Sequence, residues 1–188
     1  MINALARLST WKLILPLFIL FALFPFFIFP KYQARMTEAA GTEVAPLDTR
    51  FNYSDEEVRS DFEKLNTRGR EVYSIVVGRV DMLFPVAYGA FFVFLLAYLL
   101  RQIFGPSRWM LLAFLPVVGV VFDYLENFSI LRLLHKYPHI AAVDVTKAET
   151  MTQLKHGFLF LSVAVMLLLG ITVLMRKIFN RNTVSSAR

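Results

Sequence analysis

Phe122-Asp123-Tyr124-Leu125-Glu126-Asn127 sets two carboxylates and an amide near the end of a segment, Trp109 to Leu134, that is otherwise almost wholly apolar. In a helix Asp123 and Asn127 are i and i+4, and Asp123 and Glu126 are i and i+3, so the three polar heads share one face. At membrane depth an ionisable side chain is costly and must turn to protein or water, which makes this face a functional-site hypothesis.

The segment around it is one of four. Uncharged runs extend from Leu13 to Pro30 (18 residues), Met82 to Leu100 (19), Trp109 to Phe122 (14, continuing to Leu134 across the acidic turn) and His156 to Met175 (20). Roughly 20 apolar residues cross ~30 Å of hydrocarbon, and 57% hydrophobic residues is far above the share in a soluble domain. The expected fold is all-α: one integral membrane domain over 1–188, a four-transmembrane-helix bundle with spans at about 12–30, 78–103, 108–134 and 153–178.

Charge gives the expected sidedness. The net charge of +6 would suit nucleic acid in a soluble protein, but its distribution points to membrane topology. Arg7 and Lys12 before span one, Arg101 and Arg108 between spans two and three, and Arg176, Lys177, Arg181 and Arg188 after span four come with no acid, and all 14 acids lie elsewhere. The positive-inside rule then puts both termini in the cytoplasm and the loops 31–77 and 135–152 outside, as in a multi-pass protein of a cell inner membrane. The run after Arg7 and Lys12 is long for a signal peptide, and the first small-residue stretch lies far downstream, so a retained anchor is expected. With no cysteine, disulfides and thiolate ligation are excluded.

Along the chain, Pro16 and Pro25 are expected to kink span one, a packing helix with Trp11 in the aromatic belt. Gly41 and Pro46 argue against one continuous helix over 31–51. Ser54-Asp55-Glu56-Glu57 fits a capping box with Tyr53 and Val58 as a hydrophobic staple, predicting a short extracytoplasmic helix over about 55–65 with Val58, Phe62 and Leu65 inward. Arg70, Tyr73, Val77, Asp81, Pro85 and Tyr88 form one stripe leading into span two. Pro85 lacks an amide, so a carbonyl near Asp81 loses its helical donor. Ser107 is the expected N-cap of span three, and Thr146 with Glu149 a second capping box ahead of span four. Gly119 and Gly170 are expected at close helix contacts. His135 and His139 lack the intervening acid of a zinc helix, and no phosphate loop, nucleophile elbow or nucleic-acid motif is present.

Counting ~1.5 Å per residue from Arg108 sets Asp123 roughly 22 Å along the axis, in the outer leaflet and level with Asp81. Asp81, Asp123 and Glu126 are therefore candidate acid–base residues, with Arg70, Tyr73, Tyr88, Asn127, Arg132, Lys155 and His156 as ligand-binding or network partners. Two acids on one turn can share a proton, and oxygens from Asp81, Asp123, Glu126 and Asn127 would suit a hard divalent cation, although no metal motif supports one. The expected function is a small enzyme or an ion- or ligand-binding site acting on a membrane or extracytoplasmic substrate. The alternative is an accessory or scaffold subunit docking a membrane-protein partner or a second copy. A transporter is less favoured, because spans one and four carry no midplane polar path.

Asp48-Thr49-Arg50-Phe51-Asn52-Tyr53-Ser54-Asp55-Glu56-Glu57, Gly69-Arg70-Glu71-Val72-Tyr73, Asp81-Met82-Leu83-Phe84-Pro85 with Tyr88, and Asp123-Tyr124-Leu125-Glu126-Asn127 together resemble a group of small four-span bacterial membrane proteins. The resemblance covers about residues 45 to 160 and implies a bacterial four-span protein. It marks Arg70, Tyr73, Asp81, Pro85, Tyr88, Asp123, Glu126, Asn127 and Lys155 and supplies no substrate.

Overall fold

The computed structural model describes residues 2–185, with side chains over 2–179. Arg181 and Arg188, and the polar tail from residue 180 expected to fray, lie outside the described side chains. Among the described residues every regular element is a helix, with no strand, and four helices are long and apolar enough to cross a membrane. We label the helices α1 (Ile2–Leu8), α2 (Trp11–Ala40), α3 (Asp55–Lys64), α4 (Asn66–Phe104), α5 (Arg108–Lys136) and α6 (Ala142–Ser185). The spans are α2, α4, α5 and α6.

Helices α4, α5 and α6 pack on one another, and α2 lies along α4. One end of the bundle gathers α1, the α4–α5 link and the last part of α6. There Leu5 and Ala6 are buried with Leu96, Leu100, Met110 and Met166, and Arg176 donates to the Ile103 carbonyl at 3.0 Å. Trp11 Nε1 donates to the Tyr98 hydroxyl at the same end. The other end, which we call the loop end, buries Val44, Leu47, Val58, Phe62, Leu65, Leu133 and Val145 in a second core.

Several helices are longer than the uncharged runs suggest. Residues 31–40 continue α2 instead of forming a loop. Pro25 opens a wide five-residue turn, Phe24–Ile28, in which the Phe29 amide reaches back to the Phe24 carbonyl, and this accommodates the prolines without ending the helix. The stop comes at Gly41, in the left-handed region at φ 75°. On α4 the helix starts at Asn66, whose side chain binds the Ala39 and Ala40 carbonyls and accepts from the Gly69 amide. Helix α6 starts at Ala142, ahead of the expected Thr146 box: Thr146 Oγ1 bonds back to the Ala142 carbonyl inside the helix, and Asp144 in the first turn meets Lys136 and Arg132. Lengthening both α5 and α6 leaves only residues 137–141 between them. Ser107 does occupy the position before α5, yet its hydroxyl makes no capping bond.

The capping box forms as read: Glu57 N–H donates to Ser54 Oγ at 3.2 Å and Ser54 N–H to Glu57 Oε2 at 2.7 Å. Val58, Phe62 and Leu65 are all buried, as is the staple residue Tyr53. Close approach of α4 and α5 occurs at Gly89, where an added Cβ would stand 2.6 Å from Val120 Cγ2. Gly119 is in ordinary contact with Leu159, and Gly170 faces open space, so Gly170 is no packing notch.

Candidate functional site

The local chemistry of proline builds the site's floor. Pro85 has no amide to give the Asp81 carbonyl, and α4 opens at residues 81–83, preceded by the wide turn Val76–Val80. The polar turn of α5 fills the gap. Asn127 Nδ2 donates to the Asp81 carbonyl at 3.4 Å, and the Tyr124 hydroxyl to the Met82 carbonyl at 3.0 Å. Asn127 therefore holds backbone, which fixes Asp81 and Asp123 on facing helices.

Around this joint lies a half-open cleft of about 720 Å³. Helix α4 contributes Tyr73, Val76, Val77, Asp81 and Phe84; α5 contributes Asp123; α6 contributes Lys155, His156 and Leu159. Asp81, Asp123 and Lys155 are 4%, 2% and 6% exposed, and Glu126 is fully buried behind them. Asp123 Oδ2 accepts from the Tyr88 hydroxyl at 2.9 Å. Its Oδ1 is buried and makes no hydrogen bond. Lys155 Nζ forms an ion pair with Glu126 and donates to the Asp48 carbonyl at 3.3 Å. His156 Nδ1 lies 2.8 Å from the Thr152 carbonyl, and its ring packs against Phe51 and Phe160.

Two walls of the cleft were not read from the sequence. Helix α2 presents Pro25, Phe29, Gln33 and Met36, a stripe at helical spacing concealed by the expectation of a loop after residue 30. A strap over 43–49 roofs the cleft with Glu43, Ala45, Asp48 and Thr49. It is pinned from three helices: Gln33 on α2 donates to the Val44 carbonyl, Lys155 on α6 to the Asp48 carbonyl, and the Leu47 amide on the strap donates to the Tyr73 hydroxyl on α4 at 2.8 Å. Asp48 stood in the first string of the family resemblance, the one signal that pointed to the strap. Beside it the buried Tyr53 hydroxyl lies 3.1 Å from Thr152 Oγ1, and burial pushes that phenol well above its ordinary pKa, so it stays neutral.

Two expected members stand elsewhere. Arg70 donates to the Phe62 carbonyl, where α3 ends, and its guanidinium lies 4.6 Å from the Tyr137 ring centre; it joins helices at the loop end. Arg132 is 61% exposed and pairs with Asp144 at 3.6 Å, because its position on α5 faces the first turn of α6. Among the described residues no three carboxylate or imidazole groups converge at metal-binding distance, and Glu126, a proposed cation ligand, is already met by Lys155.

The arrangement can accept hydrogen bonds at Asp81 and Asp123, the latter oriented by the Tyr88 hydroxyl, beside walls that are mostly apolar. Helix α2 packs on α4, and the cleft lies between its wall and the one that α6 presents. No known protein family, curated protein or solved structure matches the chain.

Proposed function

We propose that this chain is a multi-pass protein of a bacterial inner membrane, with both termini in the cytoplasm, that takes an amphiphilic ligand into the cleft from the outer leaflet. The loop end then faces outward, in line with the eight bases and no acids of the terminal segments and the link between spans two and three. The observation that carries the reading is the cleft itself. A volume of about 720 Å³ lies within the size range of small-molecule sites, and its apolar walls end on a carboxylate whose second oxygen is buried without a partner. Leaving a buried acceptor unpaired costs about 1–3 kcal/mol, so a hydrogen-bond donor supplied by a ligand would be favoured there.

Asp123 and Asp81 are the residues that meet the polar end of the ligand. Tyr88 orients Asp123, and the Glu126–Lys155 pair holds α5 and α6 together behind it. In a catalytic version Asp123 is the general acid or base. Apolar walls from Phe29, Phe84 and Leu159 suit an acyl or other hydrocarbon body.

Native mass spectrometry of protein extracted from its own membrane tests this. The wild type is expected to retain a hydrophobic adduct of defined mass. Val76→Trp, which adds a ring into the cleft, is expected to lose it while folding normally. Equal adduct occupancy in both proteins, or none in the wild type at mild activation, counts against the reading.

A further inference from the structure

Within the proposed amphiphile cleft, we infer that the ligand's polar end is a cation, an amine or other nitrogen head that donates hydrogen bonds to Asp123 and Asp81. This rests on the reading of the cleft as an amphiphile site and adds the chemistry of the head.

The charge arrangement argues for it. Glu43, Asp48, Asp81 and Asp123 line the cleft with Glu126 behind them, and among the described residues that line it the one lysine or arginine is Lys155. Lys155 is committed to Glu126 and to the Asp48 carbonyl. Lys155 also lines the cleft, but among the described residues no lysine or arginine side chain is bonded to Asp81 or Asp123. His156 lines the cleft, but its Nδ1 is turned to the Thr152 carbonyl.

Hydrogen-bond polarity points the same way. Asp123 Oδ2 accepts from Tyr88, and in the ionised carboxylate Oδ1 is an acceptor as well. A head that donates completes it; an anionic head meets two carboxylates at short range and is repelled. An ionised carboxylate within the membrane is costly, and an ammonium at hydrogen-bond distance offsets that cost directly. The Asn127 amide is neutral, and one of its N–H groups is used on the Asp81 carbonyl.

The test is thermal unfolding of the full-length protein in a non-ionic maltoside at neutral pH, titrated with three twelve-carbon probes: dodecylamine, dodecanol and dodecyl phosphate. A primary amine is fully charged there, with a pKa near the ~10.4 of a lysine side chain. Dodecylamine is expected to raise the unfolding temperature saturably and to bind at least tenfold more tightly than dodecanol. Dodecyl phosphate is expected to have no saturable effect. Asp123→Asn should weaken the amine at least tenfold, while the exposed-site control Glu56→Gln should leave it unchanged. If Asp123→Asn fails to fold, Val76→Trp serves in its place and should abolish binding with every charge intact. Dodecanol matching the amine, or the phosphate outbinding it, overturns the cationic head and leaves the amphiphile cleft standing. No probe binding the wild type, or Val76→Trp binding all three unchanged, overturns both.

Discussion

Glu126 is fully buried, and its carboxylate is met by a lysine that is itself almost hidden, so each of the two charges depends on the other. Removing one partner of such a pair leaves an uncompensated buried charge and typically costs ~3–5 kcal/mol, whereas replacing both with apolar residues of similar volume is close to neutral. Lys155→Met alone is expected to lower the unfolding temperature sharply in detergent, and Lys155→Met with Glu126→Leu to recover most of the loss. A double variant as unstable as the single one would mean that the pair is not what joins α5 to α6 here. Asp123 differs from Glu126 in kind. Its Oδ1 has no partner to lose, so Asp123→Asn is expected to change stability by less than Lys155→Met while removing ligand binding.

At the scale of single elements, α3 is held by its first turn. The Ser54 backbone amide, with a smaller contribution from its hydroxyl, holds the Glu57 carboxyl below the usual carboxylate range. A lowered folded-state pKa contributes stability that is complete above the ordinary carboxylate value and is lost as pH falls through the folded one. The gap in unfolding temperature between wild type and Glu57→Gln is therefore expected to close on acidification. Ser54→Ala should cost about 1 kcal/mol, the usual loss at an N-cap, and hydrogen exchange over 55–64 reads it directly. Glycines in the spans make a second contrast. Gly89→Ala places a methyl carbon against Val120 of α5, where something must shift, and is expected to destabilise. Gly170→Ala meets open space and gains helix propensity of about 1 kcal/mol. Equal thermal effects of the two would contradict the close crossing of α4 and α5.

For the molecule as a whole, the four spans were legible because a long uncharged run has few other readings, and the convergence of Asp81, Asp123, Glu126 and Lys155 was legible because helical spacing and depth agree. The extent of the helices was not. Pro25 read as a kink and Gly41 and Pro46 as ending any continuous helix after residue 30, yet wide turns at Phe24–Ile28 and Val76–Val80 carry α2 and α4 on, and a sequence does not show which neighbour takes up a freed carbonyl. That is why α2 was expected to pack without lining anything, and why Gln33 and Met36 were missed. Arg70 and Arg132 were misplaced because sharing a level along the bundle axis says nothing of which way a long side chain turns. Sidedness is open to a simple measurement, since the chain has no native cysteine. Glu56→Cys is expected to react with a membrane-impermeant maleimide in intact spheroplasts, and Gln102→Cys only after permeabilisation; the reverse pattern would invert the topology.

The cleft between α2 and α6, floored by Asp123, is tested most directly by a crystal structure grown from a lipid mesophase containing dodecylamine. Elongated density is expected to run from a head within 3.2 Å of Asp123 Oδ1, a hydrogen-bond distance, past Phe29 and Leu159 to the lipid. An acidic turn facing away from α4 and α6, or a floor closed over with no such density, would contradict it.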